Sequence, residues 1–261
     1  MILRRVEIGY KPRMALAEQS LLPIPHSLKQ LSRDQGGLMA VYTEVDDADL
    51  VRFVSEYDIG EVLSCKGIAE GVENSNFLLT TSTGPYILTL YEKRVRLDDI
   101  PFFLNLMDHL AVRGVPSPRP VVACDGNRLR RLSGRPAAIV SFLAGMWVRK
   151  PFPDHCLQVG RALAELHQAG ADFDMVRKND LSIGDWQPLL AKSAAGANDV
   201  RPGLLDELSR EIESLEAIWP SDLASGVIHA DLFPDNVFFR EGRLSGLIDF
   251  YFVVREQPLT S

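Results

Sequence analysis

The residues with most chemistry to offer sit close together near the end of the chain. An apolar pair, Val227-Ile228, runs into His229-Ala230-Asp231. Leu232-Phe233-Pro234-Asp235 then leads to Asn236, and Leu247-Ile248-Asp249-Phe250 follows eleven residues further on. An Asp followed five positions later by an Asn is the spacing of a kinase catalytic loop, in which the Asp accepts the proton of a substrate hydroxyl and the Asn holds a metal. Asp231 is therefore the candidate base, and Asn236 and Asp249 are the candidate magnesium ligands. Their types suit that ion, which takes hard oxygen ligands and keeps part of its shell for water and substrate phosphates. One carboxylate and one amide oxygen leave room for a polyphosphate. His229 is expected to shape the loop by hydrogen bonding rather than to shuttle protons. Asp235 reads as a turn residue beside Pro234, whose ring fixes the local backbone. A lone His-x-Asp would be unremarkable; the Asp-to-Asn spacing and a second Asp after a hairpin make the combination specific.

That second Asp must be brought back to the loop. Glu241-Gly242 is a good two-residue hairpin turn, and it folds residues 236–240 against residues 243–249. At ~3.3 Å per residue, arms of five and seven residues place Asn236 and Asp249 about two residues, or roughly 7 Å, out of step. Further upstream, a glycine-containing loop runs from Lys66-Gly67-Ile68-Ala69 through Gly71 to Asn74-Ser75-Asn76. Such a loop between two strands can lay backbone N–H groups over ATP phosphates, although an ordinary hairpin explains the Gly-x-x-x-Gly pattern equally well. The polar run 73–76 reads as facing phosphate or substrate, with simple turn chemistry as the alternative.

The supporting elements follow from patterning. Asp46 or Asp47 caps a helix reaching about Tyr57, with Leu50, Val51 and Val54 on one face. Strands are expected over 61–68, 75–81, 86–91, 121–124 and 137–142, and a helix over 101–113 stopped by Gly114. Beyond Phe142 the texture turns helical, with helices over 154–169 and 204–219. The fold class is α+β: an antiparallel-sheet lobe over residues 39–142 followed by a mainly helical lobe over 143–252.

Bulk properties exclude other classes. The chain has 261 residues, 46% apolar and 24% charged, with a net charge of −7. No apolar run approaches the ~20 residues that span a bilayer. No dense basic block offers a face to nucleic acid. Three widely spaced cysteines and five histidines without metal-ligand spacing fit reduced thiols in a cytoplasmic protein. Residues 1–38 carry six basic and three acidic side chains and three prolines without an apolar period. They read as an extension, disordered or ahead of a true start at Met39.

Taken together, the stretches 66–77, 87–94, 132–137 and 227–239 resemble the aminoglycoside/choline phosphotransferase superfamily, which shares the bilobal protein-kinase fold. Within it they are most similar to the homoserine kinases of that fold. The resemblance covers 39–252 and implies ATP- and magnesium-dependent phosphorylation of L-homoserine, a step towards threonine. It implies that Asp231 is the base, that Asn236 and Asp249 hold magnesium, and that residues 67–71 form the phosphate loop. It also implies that backbone around Ser141 to Ala144, Leu143 included, contacts adenine at the hinge between lobes. Where many kinases of this fold carry a basic residue on the third strand, Thr89 stands here, so Lys93 or Lys66 is the candidate phosphate grip. Residues 253–261 no longer resemble the family, so the helical lobe is expected to be incomplete, with apolar surface left on the helices at 154–169 and 204–219. A related choline, aminoglycoside or sugar kinase, and a non-catalytic fragment, remain the alternatives. Nothing in the sequence sets the oligomeric state.

Overall fold

In the computed structural model, residues 43–68, 74–92, 95–220 and 225–256 are described. The expected extension 1–38, the loop tip with Ala69 and Gly71, Lys93, and the tail beyond 256 lie outside them. Helix α1 (Asp47–Val54) is capped by Asp46, whose carboxylate accepts from the N–H groups of Ala48 and Asp49. Strands β1 (Val62–Gly67), β2 (Asn74–Thr81) and β3 (Gly84–Tyr91) form an antiparallel meander. Helix α2 (Ile100–Val112) follows, then β4 (Arg130–Leu132) and β5 (Arg135–Ser141), giving a sheet in the order β1-β2-β3-β5-β4.

The strand expected over 121–124 is absent. That segment makes only isolated bridges, Tyr57 with Ala123 and Pro120 with Val140. Pro116, Pro118 and Pro120 precede it, and prolines lack the donors a ladder needs. The edge strand is instead β4, whose arginines hide its strand character.

After β6 (Met146–Trp147) come α3 (Pro153–Ala169), α4 (Ile183–Val200) and α5 (Leu204–Ile218). Helix α4 was not expected. Its small residues, internal Pro188 and two glycines give little apolar period, and it packs chiefly on α5. No side chain of α5 is buried, and Leu157 on α3 and Ile218 on α5 are each 73% exposed.

Strands β7 (Gly226–Ile228), β8 (Val237–Arg240), β9 (Arg243–Leu247) and β10 (Val254–Glu256) complete the chain. β6, β8 and β9 form one small sheet, and β7 pairs with β10 in another. The polar tail expected from 253 therefore begins as structure: Val253 and Val254 are buried and β10 runs antiparallel to β7.

Two cores result. One lies between α1 and one face of the large sheet, where Leu50, Phe53 and Val54 meet Leu79, Leu88, Leu90 and Ile139. The other is built around α2. Phe103, Leu106 and Leu110 pack on Tyr91, Ala138 and Val140 from the sheet and on Leu166, Val227, Leu247 and Phe250 from the second lobe. Each fully buried Leu or Phe contributes roughly 1.5–3 kcal/mol by leaving water. α2 therefore fixes the sheet against the segment that carries the candidate site.

Candidate active site

Strand β7 buries Val227 and hands the chain to His229, which is 1% exposed. Its Nε2–H donates to the carbonyl of Ile248 at 2.9 Å, and its ring lies 4.9 Å from that of Phe250. Burial pushes its pKa down to about 4, against the hydrogen bond to Ile248, so the ring is neutral. Nδ1 is buried and has no hydrogen-bond partner among the described residues. His229 is thus a brace between the loop and the end of β9, as its sequence position suggested.

Ala230 then adopts φ 60°, the left-handed region that an L-residue enters at about 1–2 kcal/mol. Asp231 follows, half-buried. Its carbonyl accepts from the Phe233 N–H at 2.9 Å, and a 3-10 turn over Pro234–Asn236 brings Asn236 back. The Asn236 Nδ2 donates to the Asp231 carbonyl at 2.8 Å and to its carboxylate at 3.1 Å. The five-residue spacing therefore closes a small ring, and Asn236 Oδ1 is left as the acceptor available to a cation. Burial raises the Asp231 pKa. The Asn236 hydrogen bond works against this, and the charge of Asp235 adds to it.

Asp249 arrives by the expected hairpin, with one correction. A β-bulge between Phe238 and Phe239 shifts the register, so that Val237 faces Leu247 and the Ile248 N–H donates to Asn236 O at 3.0 Å. Asp249 is one residue past the partner of Asn236, closer than the two-residue stagger of a regular hairpin. It is also not on the strand. It takes φ 63° at the start of a 3-10 turn over Phe250–Phe252, which turns Phe250 into the core and leaves the carboxylate side exposed. The bulge rests on Gly246, where a Cβ would come within 2.7 Å of the Pro116 carbonyl and 2.5 Å of a Leu143 methyl. The neighbouring Leu247 N–H donates to that same carbonyl at 2.9 Å.

Strand parity sorts the remaining candidates. Side chains of 75, 77, 79, 88 and 90 point to the α1 core, while 74, 76, 78, 87 and 89 point to the α2 side. Ser75 therefore does not present its hydroxyl to a nucleotide. It is buried, donating to Glu92 at 2.9 Å and accepting from the Thr43 N–H at 3.2 Å, and Arg135 pairs with the same carboxylate at 3.1 Å. Lys66 pairs with Leu78 in register and so lies on the α2 side, exposed; Ile68 lies on that side, and a Cβ at Gly67 would make only an ordinary contact with the Phe77 ring, at 3.9 Å.

Thr89 is buried and donates to Asn76 Oδ1 at 2.8 Å, so these two polar groups satisfy each other. Asn74 sits on the same face. Ser141 is held by Arg119 at both its N–H and its hydroxyl, and Leu143 packs over Gly246, so the hinge is tied to β9. One pair was not anticipated. Tyr91 OH meets Tyr251 OH at 3.2 Å with rings edge to face, and burial holds both phenols protonated. Nothing local in the sequence links residues 160 apart.

Asp231, Asn236 and Asp249 thus come together as a carboxylate hydrogen-bonded to an amide, with a second carboxylate one residue past that amide's strand partner. Comparisons with known proteins bear on the family and the fold. The phosphotransferase enzyme family model matches residues 64–260, which reaches past Phe252. A homoserine kinase of Rhizobium meliloti (strain 1021) is 59% identical over 218 residues, covering 84% of this chain and 67% of that protein. The homoserine kinase of Rhodospirillum rubrum is 60% identical over 214 residues, covering 82% and 67%. Among solved structures, a spectinomycin phosphotransferase with ADP and spectinomycin superposes with a TM-score of 0.62 at 13% identity, covering 82% of this chain and 71% of that one. A choline kinase of Cryptosporidium parvum gives 0.60 at 16% identity, covering 81% and 66%. At such identities these two establish the kinase-like bilobal fold alone. With the family match over most of its length and relatives at about three-fifths identity, the chain belongs to the phosphotransferase enzyme family, in its homoserine kinase group.

Proposed function

We propose that this protein transfers the γ-phosphoryl group of ATP to the hydroxyl of L-homoserine, giving ADP and O-phospho-L-homoserine. The observation that carries the chemistry is the closed arrangement of Asp231, Asn236 and Ile248-Asp249, held by hydrogen bonds of 2.8–3.1 Å. The homoserine kinases at 59–60% identity support the choice of acceptor. In this reading Asp231 orients the hydroxyl and takes its proton as the new P–O bond forms and the bond to the β-phosphate bridging oxygen breaks. Its raised pKa brings it nearer the working range of a base.

Asn236 Oδ1 and Asp249 would hold magnesium. The hard-oxygen donor set fits, because Asn236 turns its nitrogen to Asp231 and not outward. When bound, the ion neutralises charge on the transferred phosphate. ATP would lie on the α2-side face of the sheet, with residues 67–71 over its phosphates, Lys66 or Lys93 as the phosphate grip, and backbone at Ser141 to Ala144 against adenine. Residues 39–142 and 143–252 would then be the two lobes of a cytoplasmic enzyme.

The direct test is ADP release by the purified chain with ATP, magnesium and each of L-homoserine, choline, a sugar and an aminoglycoside. The proposal expects turnover with homoserine and a phosphomonoester product. Turnover restricted to another alcohol, or none above the rate without acceptor, refutes it. Heat denaturation with and without magnesium-ATP separates a nucleotide-competent fold from an inert fragment.

A further inference from the structure

A cavity of about 370 Å³ lies beside the catalytic loop, and its lining carries two arginines and two aspartates. Ala230, next to the base, forms part of its wall, and Arg96, Asp99, Phe103, Arg177 and Asp180 line it. Arg177 is the best-fixed of these. Its side chain is 17% exposed, its Nε–H donates to Asp99 at 2.9 Å, and its guanidinium carbon stands 5.3 Å from the centre of the Phe103 ring. Asp180 lies 3.9 Å from an Nη atom, beyond hydrogen-bond reach. Among the described residues neither Nη group makes a hydrogen bond, and neither is sealed from solvent, so both stay open to a ligand. An arginine anchored through Nε with its outer fork open is suited to receive a carboxylate by two parallel hydrogen bonds.

We infer that this cavity is the α-amino-acid subsite: Arg177 takes the substrate's α-carboxylate, Asp180 takes its ammonium group, and the side-chain hydroxyl is left pointing past Ala230 to Asp231. This rests on the proposed function and names the groups that read its acceptor. The charge balance supports it, since two arginines and two aspartates fit a zwitterion, whereas a polycationic acceptor would call for an excess of carboxylates. Size supports it too. Four bonds separate the hydroxyl oxygen of homoserine from its carboxylate carbon, so the extended molecule spans only about 5 Å between them, and the cavity holds it with room for water. The bland alternative is that Arg177 only ties the start of α2 to the segment after α3 through Asp99.

Steady-state kinetics and binding calorimetry on Arg177→Lys, Arg177→Met and Asp180→Asn distinguish the two. The subsite predicts that KM for L-homoserine rises at least about tenfold in Arg177→Lys, which keeps the charge but not the fork, and about a hundredfold in Arg177→Met, as loss of charged hydrogen bonds does. KM for ATP should stay within about twofold in both. It also predicts that wild type prefers L-homoserine over L-homoserinol, which lacks the carboxylate, and that Arg177→Met loses that preference. Asp180 is 46% exposed, so Asp180→Asn carries little folding risk, and it should weaken homoserine binding by about tenfold.

A folded Arg177→Met protein with unchanged homoserine KM overturns the subsite and leaves the proposed function standing. Equal losses towards homoserine and homoserinol, or towards ATP, overturn it in favour of the structural tie. If wild type neither binds nor phosphorylates homoserine but binds L-serine or L-threonine through Arg177, the subsite stands and the homoserine assignment falls. If it binds no α-amino acid at all, both fall.

Discussion

The burial of His229 makes a quantitative demand on stability. The folded ring binds its proton only at about pH 4, against an ordinary value of 6.5. The unfolded chain therefore takes up protons first as pH falls, and the native state loses stability between pH 6.5 and 4. A depression of that size corresponds to about 3 kcal/mol once both states are protonated, and to about 2 kcal/mol between pH 7.5 and 5.0. His229→Gln removes the titration while keeping an amide N–H that can reach the Ile248 carbonyl. The variant loses the ring packed on Phe250, a cost of about 1–3 kcal/mol that does not depend on pH. Urea denaturation of both proteins at pH 7.5 and 5.0 isolates the linkage, because every other titrating group is common to the pair. Wild type should lose about 2 kcal/mol more than the variant over this interval. Parallel losses, within about 0.5 kcal/mol, would mean the ring is protonated or hydrated in the folded protein, and the brace described here would be wrong.

Asp231→Asn should lower kcat by about 10²–10⁴-fold with little change in ATP affinity, measured by ADP release and nucleotide titration, because the base acts on the acceptor hydroxyl. Asn236→Ala and Asp249→Ala should each raise the magnesium concentration needed for half-maximal rate, and Asn236→Ala should also loosen Asp231 by removing its 2.8 and 3.1 Å bonds. Unchanged magnesium dependence in both would count against the ligand assignment. Gly246→Ala should destabilise by about 1–3 kcal/mol through overpacking against Pro116 and Leu143, with a shift in urea midpoint as the readout.

What could be read from the sequence was local. Asp46 as a helix cap, the turn at Glu241-Gly242 and the five residues from Asp231 to Asn236 each depend on neighbours along the chain, and each has its expected place. The errors have distant causes. Whether Ser75 faces nucleotide or core depends on strand register, and a one-residue difference sends a side chain to the other face. The bulge that brings Asp249 one residue closer depends on the fit of Gly246 under Pro116, 130 positions away in the chain. Helix α4 carries too few large apolar residues to show a period, and Arg177 lies in irregular chain where only its meeting with Asp99 gives it meaning.

The three groups at the candidate site are held mostly by main chain. His229 Nε2 bonds to the Ile248 carbonyl, the Ile248 N–H bonds to the Asn236 carbonyl, and Asn236 Nδ2 bonds to the Asp231 carbonyl, two residues from where the circuit began. Only two side chains, His229 and Asn236, take part in this closed circuit. The circuit also accounts for where strain is tolerated. Ala230 and Asp249, at φ 60° and 63°, lie immediately beside members of the circuit, and each such conformation costs about 1–3 kcal/mol unless its surroundings impose it. Cutting the circuit at His229 or at Asn236 should release both turns together. Substitutions at those two positions should therefore couple non-additively in a double-mutant cycle, whereas His229 and the distant Lys66 should combine additively.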